Sequence, residues 1–240
     1  LMFTLVIHPF FEKETELKIM LFLIVFFFLG TLVALTITLI KRQQKINKVV
    51  KQKAFESQIE SYILTFVFEN NENAITNFLA NPNAKSTLFK KLAIKYCIIM
   101  HHNYSGSVQE KILEFLTKTN LIKYSRNKIY FKSWKHKVEA IRDLSTLKDR
   151  NSIDTIEKLI HHSNEKIAIE SIIALIKYDG LVSLIKLKNF KKPIDDWSQA
   201  LILSVIKNNK IPYDTIIETN LESKNPSLQL LTNRIIQFYK

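Results

Sequence analysis

The sequence predicts an all-α protein in which one transmembrane helix precedes an α-solenoid of antiparallel helix pairs. Three observations favour this fold class. Glycine accounts for only 3 of 240 residues, and hairpin-rich β folds need more positive-φ turns than this supply allows. Residues 19–40 form an apolar run without a charge. From residue 54 onward, apolar residues recur three and four positions apart, which is the helical period.

Residues 19–40 predict a retained transmembrane helix. The run is 22 residues long, and at 1.5 Å per residue it reaches about 33 Å, enough for a hydrocarbon core of about 30 Å. Its threonine hydroxyls can bond to carbonyl groups one turn earlier, so they cost little in lipid. A cleaved signal peptide is less favoured, because the run is long and its basic flank follows it.

The flanking charges predict the orientation of this helix. Residues 41–53 carry six basic side chains and no acid, and they begin with Lys41, Arg42, Lys45 and Lys48. The positive-inside rule places this flank and the rest of the chain in the cytoplasm, and the tail of residues 1–18 outside. The Lys-, Ile- and Asn-rich usage is typical of an AT-rich bacterial genome, so we expect a single-pass protein of the bacterial inner membrane.

The remaining helices follow from the apolar period and from local end signals. The apolar stretch 2–11 contains Pro9, which argues against one continuous longer helix. Ser107 and Glu110 predict a capping box. Asp195 and Asp196 are typical first-turn acids. Asn81–Pro82 and Asn225–Pro226 place a capping residue before a proline, and Asp179–Gly180 predicts a helix end. Helices are predicted near 44–69, 72–80, 84–102, 107–122, 133–147, 151–162, 165–178, 180–189, 194–208, 212–222 and 225–239. Only residues 129–131 read weakly as a strand.

Two of these helices share a residue pattern. Ala140, Ile141, Leu144 and Leu147 recur 28 residues later as Ala168, Ile169, Ile172 and Leu175. A shorter partner helix follows each, so the unit is a helix pair of about 28–32 residues. This pattern resembles the HEAT-repeat family, and Asp149 and Arg150 fall where HEAT units often carry an Asp and a basic residue. The resemblance implies an armadillo-type α-solenoid over residues 133–240. Residues 54–132 are predicted to be helical, and whether they join the repeats stays open. An irregular helical bundle is the alternative.

The sequence contains no residue pattern typical of an enzyme or a metal site. The single cysteine, Cys97, lies four residues before His101 and near His102, but a zinc site needs three or four ligands. A buried structural thiol is therefore favoured. His161 and His162 end a predicted helix, and the acids are scattered. We predict no enzyme, no cofactor and no metal.

Basic and aromatic residues supply the candidate binding surface. The net charge is +13, and Lys186, Lys188, Lys191 and Lys192 cluster near Trp197, while Trp134 lies in a second basic segment, 123–137. We expect a protein partner, such as a membrane-embedded complex, so the predicted function is a non-catalytic scaffold at the cytoplasmic face. Lysine- and aromatic-mediated binding of nucleic acid or of the anionic membrane surface is the alternative. Nucleic acid is the less favoured ligand, because the residues are Lys rather than Arg and the chain is tethered to a membrane.

Overall fold

The computed structural model describes the backbone of residues 2–240 and the side chains of residues 17–240. Every regular element in this part of the chain is helical, and residues 2–240 contain no strand. The all-α prediction is therefore confirmed, and the weak strand pattern at residues 129–131 was misleading. The chain divides into two compact units, Leu1–Phe55 and Glu56–Lys240.

Ten α-helices and five 3-10 helices make up the described chain. The α-helices are α1 (Met2–Glu69), α2 (Asn73–Ala80), α3 (Thr87–Asn103), α4 (Ser107–Lys118), α5 (Leu121–Lys128), α6 (Trp134–Thr146), α7 (Ile153–Lys158), α8 (Glu165–Asp179), α9 (Asp196–Asn208) and α10 (Pro226–Tyr239). The 3-10 helices are Pro82–Lys85, Arg150–Ser152, Leu159–His161, Gly180–Leu187 and Thr215–Glu222.

The first unit consists of one helix that is long and apolar enough to cross a membrane. The side chains of residues 19–40 are exposed. Thr31, Thr36 and Thr38 each donate a hydrogen bond of 2.8 Å to a carbonyl four residues earlier, which confirms the predicted back-bonding. The expectation of a break at Pro9 was wrong, because α1 is continuous from Met2. Proline deletes one backbone N–H, and the many other hydrogen bonds of this helix maintain its path.

The second unit buries the apolar pattern that the sequence repeats. Helix α6 packs against α8, α8 against Gly180–Leu187, and that 3-10 helix against Thr215–Glu222, which contacts α10. Most of the shared positions are buried, among them Ala140, Ile141 and Leu144 in α6 and Ala168, Ile172 and Leu175 in α8, whereas Ile169, the counterpart of Ile141, is half-buried. Burial of these faces is the main favourable term in holding the helices together.

The longer helices of this unit recur at a nearly constant interval. Helices α4, α6, α8, α9 and α10 begin at residues 107, 134, 165, 196 and 226. Successive starts are therefore 27, 31, 31 and 30 residues apart. A shorter helical segment follows each of the first four. The regular interval thus begins at residue 107, whereas the HEAT-like sequence pattern begins at residue 133.

Hydrogen bonds between distant residues follow the same interval. In the described region from 142 to 240, they join residues 26 to 38 positions apart. Asp149 connects to segments on both sides of it, 23 residues before and 29 residues after. Its carboxylate accepts a bond of 2.6 Å from Arg126 Nη2, and its backbone carbonyl accepts a bond of 3.2 Å from the Tyr178 hydroxyl. Arg150, the other residue of the HEAT resemblance, is exposed.

Several predicted helix boundaries need correction. The helix expected at 107–122 is two helices, because Asn120 adopts a left-handed conformation with φ 58° between α4 and α5. The predicted capping box is wrong, since Gly106 is the N-cap residue of α4 and Ser107 is already helical. The partner helices expected at 180–189 and 212–222 are 3-10 helices.

The other predicted end signals are confirmed. The side chains of Asn81 and Asn225 each accept a hydrogen bond from the backbone N–H two residues later, at the start of the helix that follows. Asp195 is the N-cap of α9 and accepts a bond from Ser198 N, while Asp196 lies in the first turn. Gly180 ends α8 with φ 69° and ψ −152°, a backbone conformation open almost only to glycine.

Candidate functional site

Two of the four clustered lysines predicted to bind a partner, Lys186 and Lys192, form bonds within the chain. Lys186 Nζ forms an ion pair of 2.5 Å with Glu157 Oε2. Lys192 donates hydrogen bonds to the backbone carbonyls of His162 and Ser163. Two of the four ammonium groups therefore connect neighbouring segments of the chain.

The other two lysines lie at a small cleft. Lys188 and Lys191 are exposed and, with Lys224, line a cleft of about 540 Å³. Trp197, at the start of α9, is 78% exposed and is not among the residues that line this cleft. The predicted aromatic contact is therefore exposed but is not part of this cleft.

Trp134 contacts lysines other than those of the predicted cluster. Lys166 Nζ lies 4.5 Å from the centroid of the Trp134 ring, and Lys135 Nζ lies 5.8 Å from it. Such cation–π contacts contribute about 0.5–1 kcal/mol at exposed sites. Trp134 thus links the start of α6 to the start of α8 and has a structural role of its own.

The basic residues after the apolar run are exposed on α1. Lys41, Arg42, Lys45 and Lys48 all face solvent. The three lysines are four and three positions apart, so they share one helical face. This arrangement suits contact with anionic headgroups, at about 1 kcal/mol for each lysine near the surface.

A larger cleft, which the sequence did not predict, lies at the C-terminal ends of several helices. Its volume is about 910 Å³, and its walls come from the ends of α3, α6, α8 and α9 and from the start of α4. Lys148, Lys177 and Lys210 line it, together with His101 and His102. We call it the lysine cleft. Its lining residues, all in the described chain, include no aspartate or glutamate.

The backbone at the lysine cleft has a repeated conformation. Lys148, Gly180 and Lys210 follow α6, α8 and α9, and all have positive φ, at 52°, 69° and 49°. After α6, the Asp149 N–H donates to the Leu144 carbonyl at 3.0 Å, and after α9 the Ile211 N–H donates to the Ile206 carbonyl at 3.1 Å. This is the hydrogen bond of a Schellman helix end, which satisfies a carbonyl that would otherwise face the cleft.

Burial modifies the titration of two groups in the lysine cleft. Desolvation lowers the pKa of the half-buried Lys177 ammonium, whose Nζ lies 3.4 Å from Thr146 Oγ1. Desolvation also lowers the pKa of His101, and the nearby charges of Lys148 and His102 act in the same direction. Both effects favour the neutral form of His101, so the lysines are the main source of positive charge in the cleft.

A network of ionisable side chains joins α3, α5 and α6. The Lys128 ammonium is 1% exposed and lies 3.3 Å from Glu139 Oε1 and 3.4 Å from Asp143 Oδ2. Lys91 Nζ contacts Glu139 Oε2 at 2.9 Å. Burial raises the pKa of Asp143 to about 6, against the opposing charge of Lys128. The buried Lys128 ammonium thus has the carboxylate partners that a buried charge requires. The network therefore stabilises the packing of these helices.

The residues considered for metal or nucleophilic chemistry lie apart. Cys97 is fully buried, as predicted, and burial raises the pKa of its thiol. His101 lines the lysine cleft, and His162 Nδ1 accepts a bond of 3.0 Å from the Asn164 N–H. Glu114 is exposed and pairs with Lys118 at 2.8 Å. Among residues 17–240, no three His, Cys, Asp or Glu side chains form a group suited to a metal ion.

No family model matches this chain, and neither a curated protein nor a solved structure shows significant similarity to it. The functional conclusion therefore depends on the geometry of its own residues.

Proposed function

We propose that this protein is a membrane-anchored helical-repeat scaffold, which binds a protein partner at the cytoplasmic face of the bacterial inner membrane and is not an enzyme. Residues 19–40 are the membrane span, and the repeats form an α-solenoid of the HEAT type. The repeats extend from residue 107 to the end of α10.

The observation that carries this proposal is the regular interval of the second unit. Longer helices start 27 to 31 residues apart from residue 107 onward, and distant hydrogen bonds in 142–240 join residues 26 to 38 apart. In a solenoid, each repeat contacts mainly the repeats next to it in the sequence, and this is the defining property of the architecture. Solenoids expose long continuous faces, and binding is their usual use.

The span is supported by chemistry that lipid favours. A run of 22 uncharged residues is fully helical, so its backbone groups are satisfied internally, as a hydrocarbon core requires. The threonine hydroxyls are satisfied as well. The apolar side chains of this run are exposed, which water disfavours and lipid accommodates.

Site-specific photo-crosslinking in intact cells tests the scaffold. A photoreactive amino acid is placed singly at exposed positions of the second unit, for example at Trp197, Lys188 and Asn209. We expect at least one position to yield a discrete adduct with a second protein in the membrane fraction, and position 28 within the span to yield none with soluble proteins. The absence of a protein adduct from every exposed position would reject the scaffold.

The second candidate function is binding of an anionic polymer or surface. The exposed Lys188 and Lys191 beside Lys224 favour it, whereas the internal bonds of Lys186 and Lys192 count against it. Binding by phosphate contacts falls steeply as salt rises. Binding of the purified chain to nucleic acid or to anionic vesicles that is absent, or that does not fall as salt rises, would exclude this alternative.

A further inference from the structure

We propose that the lysine cleft binds an acidic segment of the partner protein in an extended conformation, with one carboxylate at each of Lys148, Lys177 and Lys210. This inference rests on the proposed scaffold function and names where and how the partner docks.

Among the described residues, no carboxylate forms an ion pair with a lysine of the cleft. Lys148 and Lys210 take part in no ion pair among the described residues, and the lining contains no carboxylate. A lysine near a helix end also offsets the partial negative charge there, which is about half a unit for each helix. The three lysines together carry more positive charge than the partial negative charge at the C-terminal ends of α6, α8 and α9. The cleft therefore keeps a net positive potential.

Lys177 is the strongest indication that an anion belongs in the cleft. Its ammonium is half-buried, and its described hydrogen bond is a long one of 3.4 Å to the Thr146 hydroxyl. The nearby Glu170 carboxylate is already paired with Arg142 at 2.6 Å. Burying an ammonium group without a close counter-charge is unfavourable, and a carboxylate entering the cleft would relieve that cost.

The repeat spacing defines the form of the ligand. Helix α6 packs against α8, and α8 packs against α9. Packed helices lie about 8–10 Å apart. Three residues of an extended polyproline II chain span about 9 Å and complete one turn, so every third side chain points to the same side. The three lysines follow or end these three helices, so a peptide with an acidic residue at every third position matches their spacing.

The lining favours a peptide over a nucleic acid. Val205 is half-buried, lies among the lysines and offers apolar contact for a side chain between the carboxylates, with the buried Ile176 and Ile211 beneath the lining. The lining residues, all described, include no Phe, Tyr or Trp, so the stacking surface on which proteins hold unpaired bases is missing from the cleft.

Fluorescence anisotropy with the full chain purified in detergent tests the proposal. The probe is a labelled peptide in which glutamate recurs at every third position, separated by threonine and valine. Its matched control carries glutamine in place of each glutamate. We expect the glutamate peptide to bind and the glutamine peptide not to bind. Equal binding of both peptides, or of neither, would overturn the proposal.

A pair of charge-matched double variants tests the site. Lys148→Gln with Lys210→Gln should weaken binding by about tenfold or more, because two of three ion pairs are lost. Lys158→Gln with Lys207→Gln removes the same charge from exposed positions outside the cleft and should change affinity by less than about twofold. Equal loss in both double variants would identify non-specific attraction and overturn the site.

Two further outcomes separate this inference from its alternatives. Tripolyphosphate that displaces the peptide more effectively than unlabelled glutamate peptide does would overturn the peptide class in favour of a phosphate ligand. If the cleft variant keeps every crosslinked adduct of the parent chain, the cleft is wrong and the scaffold stands. If the parent chain gives no adduct but binds the peptide at the cleft, the scaffold is wrong and the acidic specificity stands.

Discussion

Asn225 shows how one side chain connects two neighbouring segments. Asn225 is buried, with 8% of the residue exposed, and its Nδ2 donates hydrogen bonds of 2.8 Å to the carbonyls of Phe190 and Lys192. Its Oδ1 accepts from the Ser227 N–H at 3.0 Å and from the Ser227 hydroxyl at 2.7 Å. The amide therefore caps α10 and also satisfies two carbonyls in the turn before α9.

Replacing Asn225 with alanine should destabilise the second unit by about 2–3 kcal/mol, because the helix cap is lost and two buried carbonyls lose their donor. Urea unfolding of the full chain in detergent, followed by circular dichroism, measures this loss. Asn233→Ala, at an exposed position of the same helix, should change the free energy of unfolding by less than about 0.5 kcal/mol. Equal effects of the two variants would contradict the role of the Asn225 amide.

At the scale of the element, the second helix of each repeat was predicted as an α-helix, whereas two of these helices are 3-10 helices. The buried residues of Gly180–Leu187 include Leu181, Leu184 and Leu187, which are three positions apart. Ile217 and Asn220 repeat this spacing in Thr215–Glu222. A strict interval of three is typical of the 3-10 helix, whose side chains align every third residue. The pattern was therefore readable, but an interval of three also fits part of an α-helix.

The longer helices were predictable because capping and burial act locally. Asp195 and Asn225 mark the starts of α9 and α10 within one turn of chain. The lysine cleft was not predictable in the same way, since Lys148 and Lys210 each read as an ordinary solvated turn residue. The ends of α6, α8 and α9 meet at one cleft only because successive repeats pack side by side in the same direction. That arrangement depends on tertiary packing.

The network between α5 and α6 should make stability depend on pH in a defined direction. Asp143 has a pKa of about 6 in the folded chain and about 3.8 as its reference value, so the folded state binds more protons between these values. Stability from this group therefore falls as pH rises from about 4 to 6. For Glu139, burial alone would raise the pKa, but the hydrogen bond from Lys91 and the charge of Lys128 lower it. Its contribution has the opposite sign and is lost as pH falls.

Comparison with Asp143→Asn measures the first effect, because titrations outside this network are common to both proteins and cancel. The free energy of unfolding of the parent chain minus that of Asp143→Asn should increase by about 2 kcal/mol when pH falls from 7 to 4.5. Urea unfolding at both pH values measures it. A difference that stays constant with pH would show that Asp143 titrates normally in the folded chain.

At the scale of the whole molecule, basic residues are concentrated directly after the apolar run. The run of residues 19–40 has no charge, and the following residues 41–53 have six basic side chains and no acid. In the proposed topology this asymmetry orients the chain, because basic residues within about 15–20 positions of a span resist translocation. The second unit also carries excess lysine, but at a distance in sequence where the rule no longer applies.

Orientation should therefore depend on the juxtamembrane charges alone. With alkaline phosphatase fused after Lys240, the parent chain should show little phosphatase activity, because this enzyme needs the oxidising side of the membrane. Replacing Lys41, Arg42, Lys45 and Lys48 with glutamine should give a mixed orientation and a clear rise in activity at equal protein level.

A charge-matched variant distinguishes orientation from a general effect of net charge. Glutamine at Lys158, Lys188, Lys191 and Lys207 removes the same four charges from exposed positions of the second unit, and the reporter should stay inactive. High activity in the parent chain would place the second unit outside and reverse the topology. A rise of the same size in both variants would mean that total charge, rather than the flank of the span, sets the orientation.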